Sequence, residues 1–171
     1  AYSDDGITFK KYENNPVIAS FPSDGCPDFR DPAVCYSKGK YYCVMASGNR
    51  EKKTANLLLY ESEDLLQWNY KGILCEWENS KFAECPSFME SGDKYLLTAS
   101  VCTENSHRFS VMYGKFEDCR FTPEYTGEVD KGPDQYAGQV FLDHKGRTIL
   151  ISWLPGWQYA KKKKKDIGCM S

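Results

Sequence analysis

Along residues 29–47, FRDPAVCYSKGKYYCVMAS, apolar and polar positions alternate with period two on both sides of a Lys38-Gly39 pair. That pattern predicts two half-buried strands joined by a tight turn. A charged pair, Arg30 and Asp31, stands at the mouth of this otherwise apolar hairpin. The pattern returns at 82–100, FAECPSFMESGDKYLLTAS, and more loosely at 136–154, YAGQVFLDHKGRTILISWL. In the first two copies an acidic residue is followed by Pro within two positions and by Gly after eight, Asp31 to Gly39 and Glu84 to Gly92. The second strand then closes in Ala-Ser, at Ser47 and Ser100. Counting back eight from Gly146 reaches Gly138, so the third slot holds no acid, and Asp134 is the nearest carboxylate. The slots 31, 84 and 138 lie 53 and 54 residues apart, a spacing that marks a repeat architecture.

The other half of the period repeats as well. LLLYESEDLLQWNYKG (57–72) is matched by SVMYGKFEDCRFTPEYTG (110–127), each giving a strand with a Tyr, an Asp in a turn, an aromatic and a closing strand. The opening segment, AYSDDGITFKKYENNPVI, reads as the same half, with Tyr2, Asp5 and Phe9 beside Tyr60, Asp64 and Trp68. Each period therefore holds about four strands, which is one propeller blade. The predicted fold is all-β, a partial β-propeller: 1–24 the outer hairpin of a first blade, 25–77 a second blade, 78–130 a third, and 131–171 the inner part of a fourth. Long helical periodicity is absent; EDLLQW amounts to one turn. So few blades cannot close a ring, so the chain reads as a piece of one. Its open edges and apolar faces call for a partner or for self-association.

Composition changes this picture only by exclusion. A length of 171 residues suffices for one core, and 15% aromatic residues suit sheets packed face to face. A net charge of −2 gives no reason to expect nucleic acid or an anionic membrane, and no apolar run approaches the length of a membrane span. The eight cysteines include no C-x-x-C pair, so neither zinc nor any other metal or cofactor is expected. Cys35 and Cys43 fall on strand positions, where Cys acts as a small apolar residue. Free thiols in a bacterial cytoplasm are expected over the disulfides of a secreted protein. His107 and His144 both read as turn residues, which leaves no imidazole to activate a nucleophilic thiolate. The lysine run 161–165 reads as a solvated loop rather than a phosphate site.

In a propeller the first strands of the blades converge on the axis, so equivalent slots of successive blades share one cavity. Asp31 and Glu84 would face each other there. Two carboxylates in one pocket are the minimum equipment for cleaving a glycosidic bond. The alternative is that each acid caps a turn or pairs with a neighbouring arginine.

Arg30-Asp31-Pro32, Glu84-Cys85-Pro86 and the opening YSDDGITFKKYENNPV resemble glycoside hydrolase family 32, the invertase, levanase and inulinase group. GPDQYAGQVF followed by GRTILISWLPGWQYA is similar to that family's fourth-blade signature. The resemblance spans nearly the whole chain, with the motifs in family order. It implies a five-bladed propeller that releases fructose from sucrose, sucrose 6-phosphate or fructans with retention of configuration. Glu84 then matches the general acid/base and Asp31 the transition-state stabiliser that hydrogen-bonds fructose hydroxyls. Arg30 orients the acids, and Cys85 belongs to the pocket wall. Tyr136, Gln139, Trp153 and Trp157 match substrate-facing positions, although core packing would explain the tryptophans equally well. Asp134 is a sugar acceptor or a turn residue. The family's nucleophile, the Asp of an Asn-Asp-Pro-Asn-type motif, has no counterpart in these residues, so the chain alone is expected to be inactive. A family 43 arabinan or xylan glycosidase and a non-catalytic sugar-binding or assembly fragment remain as alternatives. Glu-Cys-Pro and the YSDDG hairpin argue against the first of these, and incomplete closure favours the second.

Overall fold

The computed structural model describes residues 1–130, 132 and 134–156; Trp157, the lysine run at 161–165 and Cys169 lie outside them. The described residues form ten strands. Four form the first sheet: β1 (Arg30–Ser37), β2 (Lys40–Asn49), β3 (Thr54–Ser62) and β4 (Asn69–Glu78). Four more form the second: β5 (Phe82–Ser91), β6 (Lys94–Cys102), β7 (His107–Glu117) and β8 (Arg120–Gly127). β9 (Tyr136–Leu142) and β10 (Thr148–Trp153) pair separately. Each sheet is an antiparallel meander in sequence order. β1 lies beside β5, and β5 beside β9, so the first strands gather on one side. This is the geometry of a partial β-propeller, all-β with two complete blades. No described helix is long and apolar enough to cross a membrane.

Burial follows strand position. β2 and β3 are covered on both faces, which is why YYCVMAS and ANLLLY run apolar without alternating. β8, at the outside, is largely exposed. The main core lies between the two sheets: Tyr42, Val44, Leu57 and Leu59 from the first meet Phe88, Tyr95, Leu97 and Phe116 from the second. On the other face of the first sheet, Cys43, Met45, Leu58 and Tyr60 pack beneath Ile18 and Phe29. Residues 1–29 hold one isolated bridge, Tyr2 to Lys10. Its loop repeats the β3–β4 turn atom for atom: Asp5 Oδ1 accepts from the Ile7 and Thr8 amides, as Asp64 Oδ1 does from Leu66 and Gln67. His107 opens β7 rather than a turn, because its backbone pairs with Cys102. His144 does lie in the β9–β10 turn.

One feature decides the site. Each first strand carries a β-bulge at the same place. Two residues face one across the ladder between Arg30 and Ala33, and again between Glu84 and Ser87. In the third hairpin they lie between Tyr136 and Gln139, opposite the irregularity at Ile151–Trp153. The first bulged residue has positive φ in all three, Asp31 at 57°, Cys85 at 48° and Ala137 at 50°. The equivalent residues are therefore Arg30, Glu84 and Tyr136, followed by Asp31, Cys85 and Ala137. The acidic slots read from the glycines are offset by one residue. The cause is that Gly39 is the second residue of its two-residue turn, after Lys38, while Gly92 is the first of its own. Gly138 is the counterpart of Pro32 and Pro86. A Cβ there would lie 2.3 Å from the buried Phe109 ring, so a side chain would force that ring to shift.

Candidate active site

Where β1, β5 and β9 meet, the bulges direct side chains of one blade onto the next. Arg30 donates from Nε at 3.0 Å and from Nη2 at 2.7 Å to the same oxygen, Oε1 of Glu84. Tyr136, from β9, donates its hydroxyl hydrogen to the other oxygen, Oε2. The carboxylate is thus held from both sides, by a cation of the preceding blade and a phenol of the following hairpin. Asp31 Oδ2 accepts from the Cys85 amide at 2.8 Å, which satisfies the backbone N–H that the bulge strips from the ladder. At the next interface the equivalent amide, that of Ala137, donates to Ser100 Oγ at 2.8 Å. Asp31 thus caps the neighbouring bulge while standing beside Glu84 and Arg30.

Arg30 is fixed on its remaining sides. Its Nη1 donates to Asp28 Oδ1 at 3.2 Å, and its guanidinium carbon lies 5.0 Å from the Phe82 ring centroid. Asp28 Oδ2 in turn accepts from Arg50 at 2.9 Å. Burial opposes the charge on Arg30, but the hydrogen bonds and charges of Glu84 and Asp28 outweigh it and hold its pKa above the usual value. Asp28 is held below the usual carboxylate range, by the Arg50 hydrogen bond first and then by Arg30, against the effect of burial. Beside this chain of charges opens a cavity of about 460 Å³, lined by Asp28, Arg50, Lys53, Lys81, Phe82 and Glu104 among others. A larger one, of about 1120 Å³, lies on the far face of the first sheet beside Val34 and Met45 and does not touch Glu84.

Tyr136 is 6% exposed, and burial first, then Cys102 and Glu84, push its phenol far up, so it remains a protonated donor. Cys102 Sγ lies 3.3 Å from the phenol oxygen, and the His107 ring meets Tyr136 edge-on at 5.1 Å. Gln139 is exposed, with Nε2 donating to the Cys85 carbonyl at 3.3 Å. Trp153 pairs with Tyr136 across the β9–β10 ladder and is half-buried. Asp134 is 5% exposed, and its Oδ1 has no hydrogen-bond partner among the described residues. A buried acceptor without a partner costs about 1–3 kcal/mol, a penalty that a bound hydroxyl would remove.

Arg30, Asp31, Glu84, Cys85, Tyr136 and Gln139 are brought together, with Trp153 and Asp134 adjoining. Asp28, Phe82 and Cys102 escape sequence reasoning: Asp28 stands two residues before Arg30 with no motif of its own, and the other two end up here only through blade packing. Among the described residues no group of three or more His, Cys, Asp or Glu side chains could hold a metal ion. Their seven cysteines are all free. The Cys85 thiol is pushed up to about 11, by burial first and then by the charge of Asp31. Its alkylation by iodoacetamide is therefore expected to be slow at pH 8 and to climb until about pH 11. Mass-spectrometric labelling that saturates near pH 9 would contradict this environment.

The whole chain, residues 1–171, matches the model for the N-terminal domain of glycosyl hydrolases family 32. It is 31% identical over its full length to the sucrose-6-phosphate hydrolase of Zymomonas mobilis, spanning 37% of that protein. It is 31% identical over 92% of its length to the levanbiose-producing levanase of Bacillus subtilis, spanning 32% of it. Among solved structures, a family 32 β-fructofuranosidase of Bombyx mori superposes with a TM-score of 0.75 at 32% identity, over 89% of this chain and 35% of that one. The chain thus spans about a third of the length of each.

Proposed function

The chain belongs to glycoside hydrolase family 32, and from that premise we propose that it forms the acid/base side of a β-fructofuranosidase site, acting on sucrose, sucrose 6-phosphate or fructans. The observation that carries this reading is the grip on Glu84, one oxygen taken by Arg30 and the other by Tyr136. Glu84 is the general acid/base. It gives its proton to the leaving oxygen while a nucleophile attacks the anomeric carbon. It then takes a proton from the water that frees the sugar, with net retention.

The two partners of Glu84 differ in what they permit. Arg30 is a permanent donor and fixes Oε1 as an acceptor. Tyr136 is a hydroxyl, which both donates and accepts, and Cys102 beside it does the same. Oε2 is therefore the oxygen that carries the transferable proton: on protonation the Tyr136 hydroxyl turns toward Cys102 and accepts from the acid. Asp31 stabilises the cationic sugar and accepts its hydroxyls. Asp134 offers a buried acceptor, and Gln139, Trp153 and Cys85 line the pocket wall. Exposed Val34 and Tyr36 on β1, and Phe141 and Ile151 on β9 and β10, support further β-structure or a second copy against these faces.

Retention needs a second carboxylate roughly 5 Å from the acid, acting as nucleophile. No Asn-Asp-Pro-Asn-type motif occurs in these residues, and Asp31, whose Oδ2 accepts from the Cys85 amide, takes the stabiliser's part rather than the nucleophile's. The pure 171-residue chain is accordingly expected to release no fructose, and the product of the complete open reading frame to hydrolyse sucrose, inulin or levan. Turnover of aryl arabinofuranoside alone would overturn this reading in favour of an arabinan hydrolase.

A further inference from the structure

We propose that Asp28 is a positioning residue that sets how Arg30 meets Glu84; its place in catalysis rests on the acid/base reading of Glu84. An arginine can address a carboxylate end-on, with Nη1 and Nη2 spread over both oxygens, or side-on, with Nε and Nη2. Arg30 is side-on, and both of its donors converge on Oε1. Its Nη1 is turned away and donates to Asp28. Asp28 thereby blocks the end-on arrangement, in which a second charge-assisted bond would reach Oε2 and displace Tyr136. An acid clamped end-on has both oxygens tied to a cation that cannot accept its proton. Here both side-on donors converge on Oε1, so Oε2 stays with a neutral partner that can let go.

The rest of the environment fits this task. Asp28 is shared between two arginines through different oxygens, Oδ1 to Arg30 and Oδ2 to Arg50, so it cannot swing toward either without losing the other. The Phe82 ring lies on one face of the guanidinium, its centroid 5.0 Å from the guanidinium carbon, and offers no hydrogen-bond acceptor that would hold the group against rotation in its plane. Rotation in that plane is the motion that exchanges side-on for end-on, and Asp28 is the group that opposes it. Asp28 reaches no oxygen of Glu84 itself, so its influence runs through Arg30.

The test is nitrogen–proton NMR of the 171-residue chain, following exchange of the Arg30 Nε proton with water. Glu84→Gln identifies the signal. In Asp28→Asn exchange is expected to speed up at least about tenfold, because Nε leaves Oε1 when the guanidinium rotates, while the amide spectrum of β5 and β6 stays in place. Asp28→Glu is expected to restore slow exchange. Arg50→Gln, which leaves Asp28 wholly to Arg30, is expected to keep it slow. Equal exchange in the wild type and Asp28→Asn overturns the proposal. So does a collapse of the whole spectrum in Asp28→Asn, which would make the residue a folding determinant. If Glu84 is not an acid/base, Glu84→Gln leaves kcat of the complete enzyme on fructosides near the wild-type value while the Arg30 signal still responds to Asp28, so the two failures are told apart.

Discussion

Glu84→Gln in the complete enzyme is expected to lower kcat on sucrose by a factor of ~10²–10⁴, the usual worth of a positioned general acid/base. The amide is nearly isosteric, so Arg30 keeps an oxygen to donate to, and KM should move far less than kcat. What disappears is the proton, needed once by the leaving oxygen and once, in reverse, by the incoming water. The loss should be smaller for cleaving an aryl fructoside, whose leaving group departs without protonation. Hydrolysis of the covalent intermediate would then limit turnover, since it still lacks its base. Azide needs no base, so it should raise the rate and yield a fructosyl azide that retains configuration. Tyr136→Phe should cost less, since it removes the phenol from Oε2 and leaves the carboxyl group in place. A Glu84→Gln enzyme within threefold of wild-type kcat would remove Glu84 from the chemistry.

Phe88→Ala is expected to destabilise the chain by about 3–5 kcal/mol, the range for deleting a buried phenyl ring. Phe88 is 4% exposed and stands at the centre of the inter-sheet core. It stacks on Tyr95 at 5.3 Å and meets Phe116 edge-on at 5.1 Å, and Phe116 in turn meets Tyr42 of the first sheet at 4.9 Å. Removing the ring opens a cavity between two sheets already set by their own hydrogen bonds, which limits how far the core can close over it. Domains of this size have about 5–15 kcal/mol of stability, so the variant should unfold at much lower urea, with Phe88→Leu in between. A midpoint shift worth less than about 1 kcal/mol would mean that the sheets are not joined through these rings. The expectation also reaches the site, since Arg30 and Glu84 belong to different sheets and meet only while those sheets stay packed.

Strands and turns were legible because their signals are local. Alternation in AVCYS, the Lys38-Gly39 and Gly92-Asp93 pairs and the Asp-centred loops at 5 and 64 all act within a few residues. The repeat was legible too, and with it the meeting of Asp31 and Glu84, which Arg30 and Tyr136 joined only through the family resemblance. The register of that repeat was not. Glycine can occupy either position of a two-residue turn, so counting from Gly39 and Gly92 misplaced the equivalence by one, and only the bulge restores it. Asp28, Phe82 and Cys102 were invisible for a different reason. Phe82 and Cys102 earn their place by what a neighbouring blade brings within reach, and Asp28 by Arg50, which the β2–β3 turn brings back 22 residues later in sequence.

The bulge has a consequence for altering such a protein. An ordinary strand turns alternate residues to one side, so each blade could furnish one group to its neighbour. By turning two successive residues the same way, each blade offers a pair of sockets, and three hairpins offer six. Arg30, Asp31, Glu84 and Tyr136 fill four with chemistry; Cys85 and Ala137 do not. Ala137 has φ of 50°, a conformation that Asn and Asp tolerate better than Ala. Its socket is a place to plant a new polar group next to Tyr136 without rebuilding the backbone.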